Sequence, residues 1–526
     1  MGLGQAHETG VRVLGPIPLF VRLSMIGLTF GVTCACAAPV RDGTPTSVVL
    51  TIGLSLPPGQ TSVTTGVNQI VAILSYEGLT RTRPDGGLVS QLAESWETSG
   101  GGLAITLRLR RGVTFHDGSE LASGDVKASL DRSRLDPAQL SRYPMLSDIQ
   151  ATEARGPYTL VLQLRRPSGL LLHDLVVPIQ KDREGQLVGT GPFAFPSFED
   201  GVVSMQANRH YYRGEPAIAT VQIRTYESVR AAWAAMMRGE VDCLYEVPID
   251  AREFVEAESS VEVLSYLREY SYVIAFNLRR NLFRNPEVRV ALNLAVDRDQ
   301  IIDEALRGHG RPASGTWPLH WAYEGFDQPY HYDPRLADQL LTAQGLPMPE
   351  ISATDQPAQL PSRLRFVCMV APGSVTAERI ALITQRQLYD IGVDMVLETV
   401  SLEAFYKRMA SGDYDAVLFD LIGGPSLVRP YIFWRSPQPS APRDWDFGYQ
   451  AADEALDALR AAASDAEIRE AALEFQERLR TAPPGIFLAW AETAQAVTQG
   501  FELPARPEGE ILETLWQWRL AGSQTD

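Results

Sequence analysis

Polar and apolar residues alternate over Leu103 to Phe115, with Ile105, Leu107 and Leu109 on one face, and this spacing predicts a strand. The turn His116-Asp117-Gly118 ends it. A short helix capped by Ser123 or Asp125 then places Val126 and Leu130 together. Upstream, Ser47 to Ser55 reads as a strand, Pro57 to Gly66 as a loop, and Ile70, Ala72 and Leu74 mark a helix. Ser228 opens a helix whose Val229, Trp233 and Met237 recur at i, i+4 and i+8. That stripe is expected in the core, and Gly239 stops the helix. Tyr270 to Leu278 is a strand rich in β-branched and aromatic residues. Asn285-Pro286 and Asp297 to Gln300 start two helices, one carrying Val288, Leu292 and Ala295, the other Ile301 and Ala305. Asp333-Pro334 starts another that Gly345 ends, and Leu346 to Arg363 is a proline-rich loop. A βαβαβ run covers Leu364 to Phe419. A helix capped by Ser464 with Glu467 as its box partner follows, and Gly485 to Val497 reads as a strand returning to the first half. The class is therefore α/β, or mixed α+β.

The chain has 526 residues, 45% hydrophobic and 21% charged, with a formal net charge of −17. Such an acidic balance argues against nucleic acid, whose binding needs basic patches. The N-terminus differs from the rest. Arg12 and Arg22 precede the apolar run Leu23 to Thr33, and small residues follow, which reads as a secretory signal over 1–37. Ala35-Cys36-Ala37 fits ordinary cleavage, whereas Thr33-Cys34-Ala35-Cys36 is similar to a lipobox with Cys36 lipidated. Beyond it only Cys243 and Cys368 are left. They are expected as two free, buried thiols.

The segment FHDGSELASGDVKASLDRSR (Phe115 to Arg134) resembles the "F-x-D-G, D-V, S-x-x-R" signature of the family 5 solute-binding proteins, receptors of ABC importers. Tyr76 to Leu79, Leu92 to Trp96, Gly189 to Phe193 and Asn208 to Gly214 are similar to that family's "Y-E-G-L", "L-A-E-S-W", "G-T-G-P-[FY]" and "N-x-x-Y-[WY]-x-G". FRNPEVRVALNLAVDRDQII (Phe283 to Ile302) resembles its second strong block. The matches follow family order from about residue 47 to 500. The resemblance implies a two-lobe periplasmic-binding-protein-like fold, type II with an extra subdomain, and a ligand cleft between the lobes. Lobe I would span 45–272, lobe II 273–485, and 486–526 would return to lobe I. It also implies a monomeric extracytoplasmic receptor, free or lipid-anchored. Such a receptor captures a peptide or other small solute by hinge closure and hands it to permease and ATPase subunits. A sensor or chaperone on the same fold is the alternative. An extracytoplasmic hydrolase is disfavoured.

No nucleophile elbow, P-loop or zinc-protease motif occurs, and the seven histidines show no metal-ligand spacing. Gly189 to Ala194 formally fits a dinucleotide fingerprint, but Pro192 removes a donor where phosphate needs one. Neither catalytic residue, metal nor cofactor is expected. Where peptide binders of the family carry an aromatic residue and an Asp for the peptide ammonium, this chain places Leu421 and Gly424. That loss predicts weak binding of unblocked di- and tripeptides. Asp420 is the acid that would substitute. Arg429 would pair with a carboxylate or phosphate, and Tyr431 or Trp434 would stack on a ring or sugar. Tyr76, the loop around Thr61, Tyr272, Asn277, Trp317 and Trp490 complete the expected cleft.

Overall fold

Two long strands carry the architecture. Val261–Phe276 has 16 residues and Gly485–Thr498 has 14, and they pair antiparallel along most of their length. The computed structural model describes residues 48–55, 64–323, 330–350, 361–437, 445–504 and 510–522; Cys36 and Thr61 lie outside them. At one end of this pair, Cys243–Leu244 joins Gly485–Thr498 and leads through Val49–Ser55 to Thr220–Tyr226, Val202–Ala207 and Phe193–Glu199. At the other end, Ala416–Ile422 joins Val261–Phe276 and leads to Leu364–Val370 and Val393–Thr399. One sheet of 11 described strands thus falls into two halves, connected through the two long strands. Separate apolar cores serve the halves. Leu50, Ile52 and Val221 anchor one, and Ile274, Phe366 and Leu418 the other.

A four-stranded sheet, Ala93–Ser99, Ala104–Leu109, Thr159–Leu164 and Ile149–Ala154, forms a smaller unit. Its core of Leu107, Phe115 and Leu130 continues into Leu456, Phe475 and Trp490 of the second half. The opening motif is scaffold here. Phe115 is buried, Gly118 turns the chain at φ +80°, and the Asp117 carboxylate accepts from the Ser119 N–H and hydroxyl. The helix Ser123–Ser133 begins after Ala122, whose N–H donates to Asp125, while the Ser123 hydroxyl donates to the Gly156 carbonyl instead. His116 Nε2 lies 3.0 Å from the Gly191 carbonyl and Asp117 is held by Ser119, so the two do not form a dyad.

Three motif blocks converge on one carboxylate. Glu77 accepts from the hydroxyls of Thr190 (2.8 Å), Tyr211 (3.0 Å) and Tyr212 (3.0 Å). Burial pushes its pKa up, and Thr190, Arg213 and the tyrosines pull it back. Gly191 allows the backbone to approach, since a Cβ there would stand 2.5 Å from the Leu74 carbonyl oxygen. The glycines are packing residues, not a phosphate cradle. In the second strong block, Arg289 and Arg298 are buried against backbone carbonyls. Arg289 donates to Pro483 O (2.6 Å) and Arg298 to Phe487 O (2.7 Å), which pins the helices to the long strand.

The stripe expected at Val229, Trp233 and Met237 is rotated. The helix Val229–Met237 buries Ala232, Ala235 and Met236, while Met237 is 42% exposed. Small alanines let this helix approach the sheet closely, and Trp233 packs edge-on against Phe254 at its rim. Cys243 and Cys368 are free and buried. No helix of the described residues is long and apolar enough to cross a membrane.

Candidate functional site

A small cavity, about 20 Å³, lies where the long strands meet the segment after Ala416–Ile422. That is room for about one water molecule, so a solute enters only when the walls move apart. Trp490 forms one wall, edge-on to Trp317 with ring centroids 5.1 Å apart. Gly423 permits this, because a methyl there would collide with the Trp490 ring. The helix Val428–Trp434 contributes Arg429, Phe433 and Trp434. His320 and Tyr323 close another side. The His320 Nδ1 accepts from the Ala322 N–H at 3.0 Å, which assigns the ring proton to Nε2. Burial, then the neighbouring His173, pushes the His320 pKa down to about 3, so the ring is neutral. His320 Nε2, Tyr323 Oη and Trp490 Nε1 are buried without a hydrogen-bond partner among the described residues. The three residues line the cavity, but these atoms are sealed off, and the His320 Nε2 lies against Gly86. A larger hollow, about 470 Å³, lies between the small unit and residues 462–468; its Arg83 is already paired with Asp85.

Four expected site residues, Trp317, Arg429, Trp434 and Trp490, are brought together at this cavity. Five are not. The Asn277 amide donates to the carbonyls of Gly412 and Tyr414, leaving nothing to offer a ligand. Tyr272 is 5% exposed within the second half's core. The Tyr431 hydroxyl accepts from Arg460 at 2.7 Å. Tyr76 is half-buried, its hydroxyl 3.4 Å from the Leu187 carbonyl. Asp420 lies on a strand and pairs with Arg268 at 3.2 Å, so it does not replace the missing acid at Gly424. His320, Tyr323 and Phe433 were not anticipated; nothing in their local pattern separates them from core aromatics.

The two halves also meet through charge. Asp250, on the helix Ile249–Glu256, pairs with Arg379 (2.8 Å) and Arg307 (3.2 Å). The hydrogen bond from Arg379 holds the Asp250 carboxyl below the usual carboxylate range. Arg379 belongs to the helix Val375–Asp390, packed in the second half's core, whereas Ile249–Glu256 buries its Val255 in a separate core with Ala494. All three side chains are more than a third exposed, so each pair contributes roughly 0.2–1 kcal/mol at most and is screened by salt. Asp250→Asn is expected to weaken solute binding about two- to fivefold at low salt, a gap that closes at 1 M salt. Titration calorimetry across ionic strength checks this, and an equal affinity at low salt would contradict it.

Comparison with known proteins follows the same lines. Residues 87–441 match the family described as bacterial extracellular solute-binding proteins, family 5. The glutathione-binding protein GsiB of Shigella boydii is 28% identical over 389 residues, spanning 70% of this chain and 72% of its own. GsiB of Escherichia coli K12 is 27% identical over the same shares. Among solved structures, NikZ from Campylobacter jejuni in complex with Ni(L-His) has a TM-score of 0.71 at 23% identity, covering 89% of this chain and 99% of that one. AgaA from A. tumefaciens R10 in complex with agropinic acid gives 0.69 at 24%, covering 90% and 99%. These likenesses carry the fold, a two-lobe binding protein.

Proposed function

The chain belongs to the bacterial extracellular solute-binding proteins of family 5, the receptors of ABC importers, and on that premise we propose that its ligand is a small peptide-like solute held against Trp490, Trp317 and Arg429. The observation that carries this reading is the cavity itself, an aromatic wall facing one half-buried guanidinium with no ion pair among the described residues. Aromatic faces and a few placed polar groups are what a closing cleft needs, because closure is driven only by the ligand's stronger interaction with the closed state. Lobe I spans 45–272 and takes back 486–526, lobe II spans 273–485, and the long strands serve as hinge. The receptor is a monomer. It works outside the cytoplasm, anchored through Cys36 when that residue is lipidated. It delivers its solute, unaltered, to permease and ATPase subunits. The GsiB relatives make glutathione the first solute to try.

Binding to the folded state raises thermal stability by mass action, by about 2.7 kcal/mol at a hundredfold excess over Kd. A melting screen of glutathione, peptides, sugars and metal chelates at millimolar concentration is expected to give at least one clear upward shift. No shift from any member would contradict the receptor reading of this cavity.

A further inference from the structure

The hollow of about 470 Å³ shares no lining residue with the Trp490 cavity. Its size falls within the range of small-molecule sites, roughly 300–1,000 Å³. Two parts of the molecule wall it. The strand Ala93–Ser99 of the small unit supplies Trp96 and Thr98, which a spacing of two places on one face. The second half supplies Trp321 and the start of the helix Asp465–Thr481, where Ser464 is the cap and Asp465 the first residue. Arg83, in the turn after Thr80–Thr82, closes a third side.

Trp96 and Trp321 are both half-buried, so each indole keeps part of a flat face open. Thr98, Ser464 and Asp465 are exposed and add hydroxyl and carboxylate oxygens. Charge at the walls is mostly cancelled. Arg83 holds Asp85 with two nitrogens, Nε at 3.1 Å and Nη2 at 3.0 Å. Burial pushes the His173 pKa down to about 4, so this lining ring is neutral at pH 7. Asp465 is the remaining charged residue of the lining, in a first helical turn, where the helix N–H groups favour a carboxylate. An anion therefore finds no free cation among the lining residues. A wholly apolar ligand would strip water from Arg83, Thr98, Ser464 and Asp465 and return no hydrogen bond. An uncharged ring with an apolar face and hydroxyls around its edge satisfies both kinds of wall.

We propose that this hollow is a second ligand site and holds an uncharged sugar, stacked on Trp96 or Trp321 with its hydroxyls on Asp465, Ser464, Thr98 and Arg83. The site does not depend on the receptor reading of the Trp490 cavity. The two places nevertheless touch through one turn. Trp317, a wall of the Trp490 cavity, donates its indole N–H to the Pro84 carbonyl at 2.7 Å, and the Trp321 N–H donates to the Asp85 carbonyl at 2.9 Å. A sugar in the hollow braces that turn from the far side. It also joins the small unit to the second half, and it binds alongside the solute rather than in competition with it.

The test compares neutral sugars with charged and flat controls. Glucose, maltose and trehalose are the sugars, glucosamine and glucose 6-phosphate the charged counterparts, and indole a flat ring without hydroxyls. Melting temperature and calorimetry read the binding. At least one neutral sugar is expected to bind, and more tightly than any control. Trp96→Ala and Trp321→Ala should each weaken that sugar about tenfold, the worth of one stacked face. Thr98→Trp fills the hollow from an exposed position, so it should abolish the binding while the ligand-free melting temperature stays close to that of the parent. Gly423→Ala, which crowds the other cavity, should leave the sugar's affinity unchanged. A panel in which no neutral sugar binds overturns the proposal, and so does one in which indole or a charged control binds best. A sugar that survives Thr98→Trp and is lost in Gly423→Ala lies in the Trp490 cavity. That result overturns the second site and leaves the receptor reading standing.

Discussion

Asp148→Ala is expected to destabilise the protein by about 3–5 kcal/mol. Asp148 is fully buried at the end of the short helix Pro144–Asp148 in the small unit. Its carboxylate accepts from Arg460 Nε (3.0 Å) and Nη2 (2.6 Å), and from Arg166 (2.6 Å). Arg460 lies on the helix Asp453–Ala461 and also donates to the Tyr431 hydroxyl. The pair therefore joins the small unit to the second half from inside their shared core. Removing the carboxylate strands a guanidinium that is 7% exposed, and the cost is that uncompensated charge rather than the lost attraction. Adding Arg460→Met should recover most of the loss, since apolar replacement of a buried pair is often neutral. Urea denaturation of the two single variants and the double variant measures this. A single variant within about 1 kcal/mol of the parent would show that the pair is solvated in solution.

Gly423→Ala is expected to lower solute affinity at least tenfold, about 1.4 kcal/mol. The added methyl would collide with the Trp490 ring, which is 2% exposed and already held edge-on by Trp317. Overpacking of this kind costs about 1–3 kcal/mol of stability, so the protein still folds. Calorimetry with the solute found by the melting screen, beside a ligand-free melting curve, separates the two effects. Unchanged affinity would mean that Trp490 is not a wall of the binding site.

Much of the scaffold was legible because its signals are local. The Ser464 cap with its Glu467 partner, the Asn285-Pro286 start and the strand beginning at Gly485 stand where their residues place them. The loop motifs were legible as a set, though the reason they travel together, convergence on Glu77, is tertiary. The first part of Val261–Phe276 was not anticipated. Glu262, Ser265, Arg268 and Glu269 interrupt its apolar pattern, since much of that stretch is solvent-exposed or half-buried. Trp317 and Trp490 were found as aromatics in Gly/Pro-rich or crossing segments. Tyr272 and Asn277 had the same credentials and are core, because residue type does not tell which face of a crossing strand turns inward.

The central claim is that solute binds between the halves, against Trp490 and Arg429. A crystal structure of the protein with the solute that most raises its melting temperature tests this most directly. The expected result is ligand density in contact with Trp490, Trp317 and the Arg429 guanidinium. Density in the larger hollow beside Trp96, His173 and Trp321, with the Trp490 cavity holding only water, would contradict it.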